Sequence, residues 1–162
     1  RCTFRVGDAA RTPRPARGPA PERTFDAALM IGLWSFELAA PRLRSLVPPG
    51  GVYVIDDAVR LRPAPAGSRA PTAGFPTRAD ARAFFAALGD ELLAERVTPL
   101  PRVRAMNRAI LAALRTRAAA LETTHPRLRR SLRAFIARQA SASRTLETDL
   151  RPVLWLVRRG PA

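Results

Sequence analysis

The chain has 162 residues, enough for one domain with a real core and short for two. Its formal charge is +15, carried by 28 basic residues that are all arginine against 13 acids. Cys2 is the only cysteine, which excludes an internal disulfide framework and a cysteine-based metal site.

The lone cysteine makes a reducing cytoplasm the expectation; no stretch approaches the roughly 20 apolar residues of a membrane helix, and no apolar signal-peptide core opens the chain. The arginine excess invites a nucleic-acid or anionic partner. The chain is also rich in alanine and proline, with nine glycines. Joint enrichment of these residues is what GC-rich coding produces, and a solvated arginine surface is then the plainer account.

"TFRV", residues 3 to 6, is a short strand candidate ending at Gly7-Asp8-Ala9. A first element so close to Arg1 is the expectation for a fragment. A proline-rich loop follows from Arg11 to Arg23, with no apolar period. "FDAALMI", residues 25 to 31, is a continuous apolar run of strand length, as expected of a strand covered on both faces.

"GLWSFE" breaks that run, and from Pro41 the spacing of Leu43, Leu46 and Val47 predicts a short helix that stops at Pro48-Pro49. Gly50-Gly51 then turns the chain into "VYVI", residues 52 to 55, a second buried strand followed by Asp56 and Asp57. Strand, helix and strand of this kind predict a parallel sheet with helical crossovers. Ligands of such sheets lie beyond the carboxyl ends of the strands, so Asp8, Gly32 and Asp56-Asp57 are expected along one edge.

After a second loop, Thr77 is a plausible N-cap with Asp80 three residues on. The helix presents Ala81, Phe84, Phe85 and Leu88 and ends at Gly89. "ELLAERVTPL" reads as strand. Val103, Met106, Ile110, Leu114, Ala118 and Leu121 predict a helix over 102–122, and Leu128, Leu132, Phe135 and Ile136 a second to about Gln139. "VLWLV", residues 153 to 157, is a last apolar strand.

Taken together, "FRVGDA", "TFDAALMI", "LRSLVPPGGVYVIDDA", the helix ending at Gly89 and the closing "PVLWLVRRG" resemble the class I S-adenosylmethionine-dependent methyltransferases, nearest to the small-molecule branch with a type 11 domain. The likeness covers nearly the whole chain but only the family's carboxyl-terminal two thirds. It implies an α/β fold, a Rossmann-like methyltransferase sheet lacking its first two strands, with a helical insert before the last, antiparallel strand. Residues 1–101 would then be the carboxyl-terminal part of the cofactor-binding core, 102–147 the insert or substrate lid, and 148–162 the last strand. The missing first strand lies in mid-sheet in this family, so the chain is expected to expose a strand edge and apolar helix faces.

The resemblance further implies S-adenosyl-L-methionine as cofactor, a small-molecule acceptor, and no metal. Asp8 would accept from the adenine amino group and the Ala9 amide would face a ring nitrogen; the plainer reading of Gly-Asp is a turn. Ile31, Gly32 and Leu33 would pass the methionine half of the cofactor, with Gly32 allowing close approach. Trp34 and Phe36 would wall the substrate pocket, or simply pack the following helix.

Asp56 and Asp57 are adjacent on a strand and point to opposite faces, so they are not expected to share a proton. One of them, Asp56 by preference, could act as general base; the alternative is a cap or an arginine partner. His125, the only histidine, could be a base on the lid or a solvated residue at a helix boundary. Residues 102 to 145 hold 11 arginines and the single acid Glu122, either a solvated face or a site for an anionic substrate. The reading from another class is a non-enzymatic basic helical module that binds nucleic acid or an anionic partner.

Overall fold

The computed structural model describes residues 25–32, 36–65, 70 and 72–161. The strand expected at residues 3 to 6 lies outside them. In chain order the elements are β1 (Ala27–Ile31), α1 (Phe36–Leu46), β2 (Val52–Arg60), α2 (Arg78–Ala87), β3 (Glu91–Val97), α3 (Leu100–Thr124), a 3-10 turn at Pro126–Leu128, α4 (Arg129–Thr148) and β4 (Leu150–Arg158).

The four strands form one sheet in the order β1-β2-β4-β3. β1 and β2 are parallel, and β4 runs antiparallel to both β2 and β3. The expected last antiparallel strand is therefore present, inserted between its two partners, and the fold is a Rossmann-like α/β sheet.

The crossover helices arise from local signals. Thr77 caps α2: its hydroxyl accepts from the Asp80 N–H while the Asp80 carboxylate accepts from the Thr77 N–H, so two orphan donors are satisfied reciprocally. Gly89, at φ +71, ends the helix in the left-handed region where a side chain would be strained. α1 begins at Phe36, five residues before the expected start at Pro41. Pro41 lies near the first turn, where its missing N–H costs only one helical bond, and Phe36, Ala39, Ala40 and Leu43 bury one face.

That face meets the sheet. Met30, Tyr53, Ile55, Val59, Val153, Trp155 and Val157 pack against α1 and against Ala81 and Phe85 of α2 in a single core. Both crossover helices thus cover the same side. The other side carries the cross-strand rows Leu29, Val54, Leu156 and Ile31, Asp56, Leu154. Leu29 and Ile31 are each 60% exposed and Leu154 is 39% exposed. Among the described residues β1 is an edge strand.

A buried carboxylate ties the sheet to the helices at its amino edge. Asp90 accepts from Tyr53 Oη at 2.7 Å, from Arg44 Nε at 3.0 and 3.1 Å, and from the Gly160 N–H at 2.8 Å. On β3, Glu95 receives Arg78, Arg82 and the Trp155 indole.

α3 leaves the carboxyl end of β3 and α4 returns to the start of β4, making a helical hairpin over residues 100–148. The packing face of α3 differs from the expected stripe: Val103, Asn107 and Ala118 are buried, while Met106 and Ile110 are exposed. The cause is Asn107, whose Nδ2 donates to the Ser143 carbonyl at 3.0 Å and to Glu147 at 2.9 Å. Those bonds turn the contact face toward a polar residue that an apolar count passes over. α4 runs nine residues beyond its expected end at Gln139, with Ser143 buried and Leu128 and Phe135 exposed.

Candidate functional site at the carboxyl edge of the sheet

The carboxyl ends of β1, β2 and β3 and the start of β4 share one edge of the sheet, and the α3–α4 hairpin rises from it. β1 stops at Ile31, whose partner in the ladder is Asp56. Gly32 then turns at φ +56, and its N–H donates to the Asp56 carbonyl at 3.0 Å. Among the described residues, nothing lies within 4 Å of where a Cβ at Gly32 would stand. Ile31, Gly32 and Asp56 are thus brought together.

β2 does not end before the aspartates, as its first four residues led one to expect. It runs on to Arg60 because β4 pairs with it throughout: Asp56 with Leu154, Asp57 with Val153, Arg60 with Leu150. Asp56 and Asp57 are therefore strand residues on opposite faces. Asp56 lies in the uncovered row beside Ile31 and Leu154. Asp57 belongs to the covered side, where burial pushes its carboxyl above its ordinary value; a hydrogen bond with the Ala58 backbone opposes this and the Asp56 charge adds to it.

Two expected site residues are placed elsewhere. Phe36 is 2% exposed, with its ring 5.2, 5.3 and 5.0 Å from those of Phe84, Phe85 and Trp155. It fills the core rather than walling a pocket, because α1 starts early and turns it onto the sheet. His125 stands where α3 gives way to the 3-10 turn, bound through its backbone to Leu121 and Leu128. The 25 residues of α3 place it about 37 Å along the helix from the sheet edge, so His125 and Asp56 are not brought together. Asp8, Ala9, Leu33 and Trp34 lie outside the described residues.

Arg60 was not signalled by the sequence pattern. It ends β2, and its Nε donates to the Phe75 carbonyl. A pocket of about 410 Å³ opens there, lined by Arg60, Leu61, Arg62, Thr72, Thr148 and Asp149 among others. The available signal was positional: an arginine closing an apolar strand at the ligand edge of a parallel sheet. Among the described residues no cluster of His, Cys, Asp or Glu could hold a metal ion, and no helix is long and apolar enough to cross a membrane.

No protein-family model matches the sequence, and no curated protein matches it. Solved structures do. A methyltransferase from Geobacter sulfurreducens, described as S-adenosylmethionine-dependent and in complex with S-adenosyl-L-homocysteine, superposes with a TM-score of 0.71 at 16% identity, over 97% of this chain and 64% of that one. A methyltransferase from Thiobacillus denitrificans with the same bound ligand gives 0.63 at 16% identity, over 86% and 60%. The cyclopropane synthase MmaA2 from Mycobacterium tuberculosis gives 0.64 at 12%, over 84% and 56%. The chain spans less than two thirds of the length of each.

Proposed function

We propose that this chain, which has the fold of the class I S-adenosylmethionine-dependent methyltransferases, is the carboxyl-terminal part of such an enzyme and serves methyl transfer to a small-molecule acceptor. The observation that carries the reading is the strand order β1-β2-β4-β3 with β4 antiparallel, together with an open turn at Gly32 beside Asp56.

The residues present fit the cofactor. Gly32 is exposed, no described residue lies within 4 Å of where its Cβ would stand, and Ile31 is 60% exposed beside it. Ile31, Gly32 and Leu33 would border the methionine half, and by resemblance Asp8 and the Ala9 amide would hold the adenine. When bound, S-adenosyl-L-methionine supplies an electrophilic sulfonium methyl. The protein's part is alignment and exclusion of water rather than covalent catalysis. Asp56 would orient the acceptor's hydroxyl or amine and take its proton, with Asp57 behind it on the opposite face. The arginine-rich hairpin would close over an anionic acceptor.

The edge position that β1 has among the described residues, and the apolar face beside it, belong to this reading. An upstream segment, corresponding to the third of the related structures that has no counterpart here, would supply the strands and helices that cover them.

Calorimetric titration of S-adenosyl-L-homocysteine against this chain and against a version extended upstream tests the proposal. Binding by the extended version, lost on Asp8→Ala, supports it. A folded extended version that binds no S-adenosyl-L-homocysteine, while either protein binds RNA with a steep salt dependence, overturns it in favour of a basic binding module.

A further inference from the structure

The pocket beyond the end of β2 contains an arginine that the rest of the fold leaves incompletely satisfied. Arg60 Nη1 is buried and has no hydrogen-bond partner among the described residues, although buried charged donors are almost always paired. Its Nε is committed to the Phe75 carbonyl, which fixes the guanidinium plane. Asp80, whose carboxyl feels the Arg60 charge, is already engaged with Thr77 in the helix cap. The cap therefore offers Nη1 no hydrogen bond.

Around it the lining mixes charge with apolar surface. Arg62 and Thr72 line the same pocket beside Leu61 and Pro63; Thr148 lines it too, but its hydroxyl donates to the Arg144 carbonyl at 3.1 Å. Two arginines lining one cavity can match the oxygens of a carboxylate or phosphate, and the planar fork adds direction to the charge. Asp149 also lines the pocket. It leaves one acceptor beside two cations, which suits a ligand carrying an N–H or O–H donor next to its oxyanion. A volume of about 410 Å³ falls in the range of small-molecule sites.

We propose that this pocket is an oxyanion-binding site in which Arg60 and Arg62 hold the carboxylate or phosphate of a small ligand. Arg60 lies four residues beyond Asp56 along β2, about 13 Å at the rise of a strand. That spacing would put the anionic end of the methyl acceptor in the pocket and its reacting end near Asp56, an assignment that rests on the reading above. The binding site itself does not depend on it.

The test uses the arginine side-chain NMR signals of the chain, titrated with inorganic phosphate, with succinate, and with chloride at matched ionic strength. The Arg60 Nε–H signal should shift and saturate with phosphate or succinate and not with chloride; the stronger of the two identifies the headgroup. Arg62→Ala should weaken binding at least fivefold, and Arg60→Gln should abolish it. Arg158→Ala, at the opposite edge of the sheet where it pairs with Glu91, should leave it unchanged. Should Arg60→Gln fail to fold, the exposed Arg62→Ala still decides. Shifts that never saturate, or an equal loss in Arg158→Ala, would mean only general attraction to a cationic protein and would overturn the site. Saturable anion binding in an extended protein that binds no S-adenosyl-L-homocysteine would uphold the site and remove its link to methyl transfer.

Discussion

Asp56 and Leu154 are partners across the β2–β4 ladder, and Ile31 flanks Asp56 on its other side. A carboxylate thus interrupts an aliphatic row on the face of the sheet that no crossover helix covers. Packing gains nothing from an acid at that position, whereas an acceptor lying over the end of β1 would meet it. Asp56→Asn keeps the shape of the side chain and should leave unfolding and S-adenosyl-L-homocysteine affinity of the upstream-extended protein unchanged. Its methyl-transfer rate should fall by about 10² to 10⁴, the usual contribution of a general base. An unchanged rate would return Asp56 to the role of a solvated carboxylate.

Tyr53 is the sole tyrosine of the chain and is fully buried. Burial, reinforced by its bond to Asp90, pushes its phenol far above the ordinary value, with Arg44 opposing. Because the folded pKa lies above the unfolded value of 10.0, the stability linked to Tyr53 is complete below pH 10 and is lost as pH rises beyond it. Absorbance should therefore detect no tyrosinate until the protein unfolds in alkali, in one coincident transition. Tyr53→Phe should flatten that alkaline limb and cost about 1–3 kcal/mol at neutral pH, since Asp90 loses a buried donor. A tyrosinate band appearing near pH 10 with the fold intact would contradict the placement.

The parts of this architecture legible in the sequence are those with local causes. "PPGG" before "VYVI" marks the entry of β2, Thr77 with Asp80 marks a capped helix, and Gly89 at φ +71 marks its end. What escaped is set by distant partners. The continuation of β2 through two aspartates depends on β4, nearly a hundred residues downstream, which supplies the ladder from Asp56 to Arg60. The buried face of α3 depends on hydrogen bonds from Asn107 to α4, which hydropathy does not register. Among the candidate residues, the place of Gly32 was readable from the break after the apolar run of β1, whereas Asp56 lies inside β2 rather than at its end. The remoteness of His125 follows from the length of α3, and Arg60 became visible only with the pocket it lines.

Phe36 offers a direct separation of packing from ligand contact. Its ring sits among Phe84, Phe85 and Trp155 with centroids 5.0 to 5.3 Å away, so Phe36→Ala should cost about 3–5 kcal/mol in denaturant unfolding. Phe36→Leu should recover much of that loss, because most of the volume is restored. A residue walling an open pocket would behave otherwise, with a small loss of stability and a large loss of ligand affinity.

Glu95 links the outer strand β3 to both α2 and β4. Its carboxylate accepts from Arg78 Nη2 at 2.5 Å, from Arg82 Nη2 at 2.6 Å and from Trp155 Nε1 at 3.3 Å. Burial pushes this carboxyl up, but the donors from Arg78, Arg82 and Trp155 outweigh it and hold the group below its ordinary 4.5. A folded pKa below the unfolded one means that the stability is present above about pH 4.5 and is lost as pH falls through the folded value. Glu95→Gln should therefore lower the melting temperature by a few degrees at pH 7 and flatten the loss of stability in acid. The expected cost is about 1–2 kcal/mol, at the low end for charged hydrogen bonds, because Arg78 and Arg82 are more than half exposed and solvent screens them. The comparison to make is thermal unfolding of wild type and variant between pH 3 and pH 7. Parallel curves would show that Glu95 is no better held in the folded protein than in the unfolded chain, and the three donors would then be surface contacts rather than a joint between β3, α2 and β4.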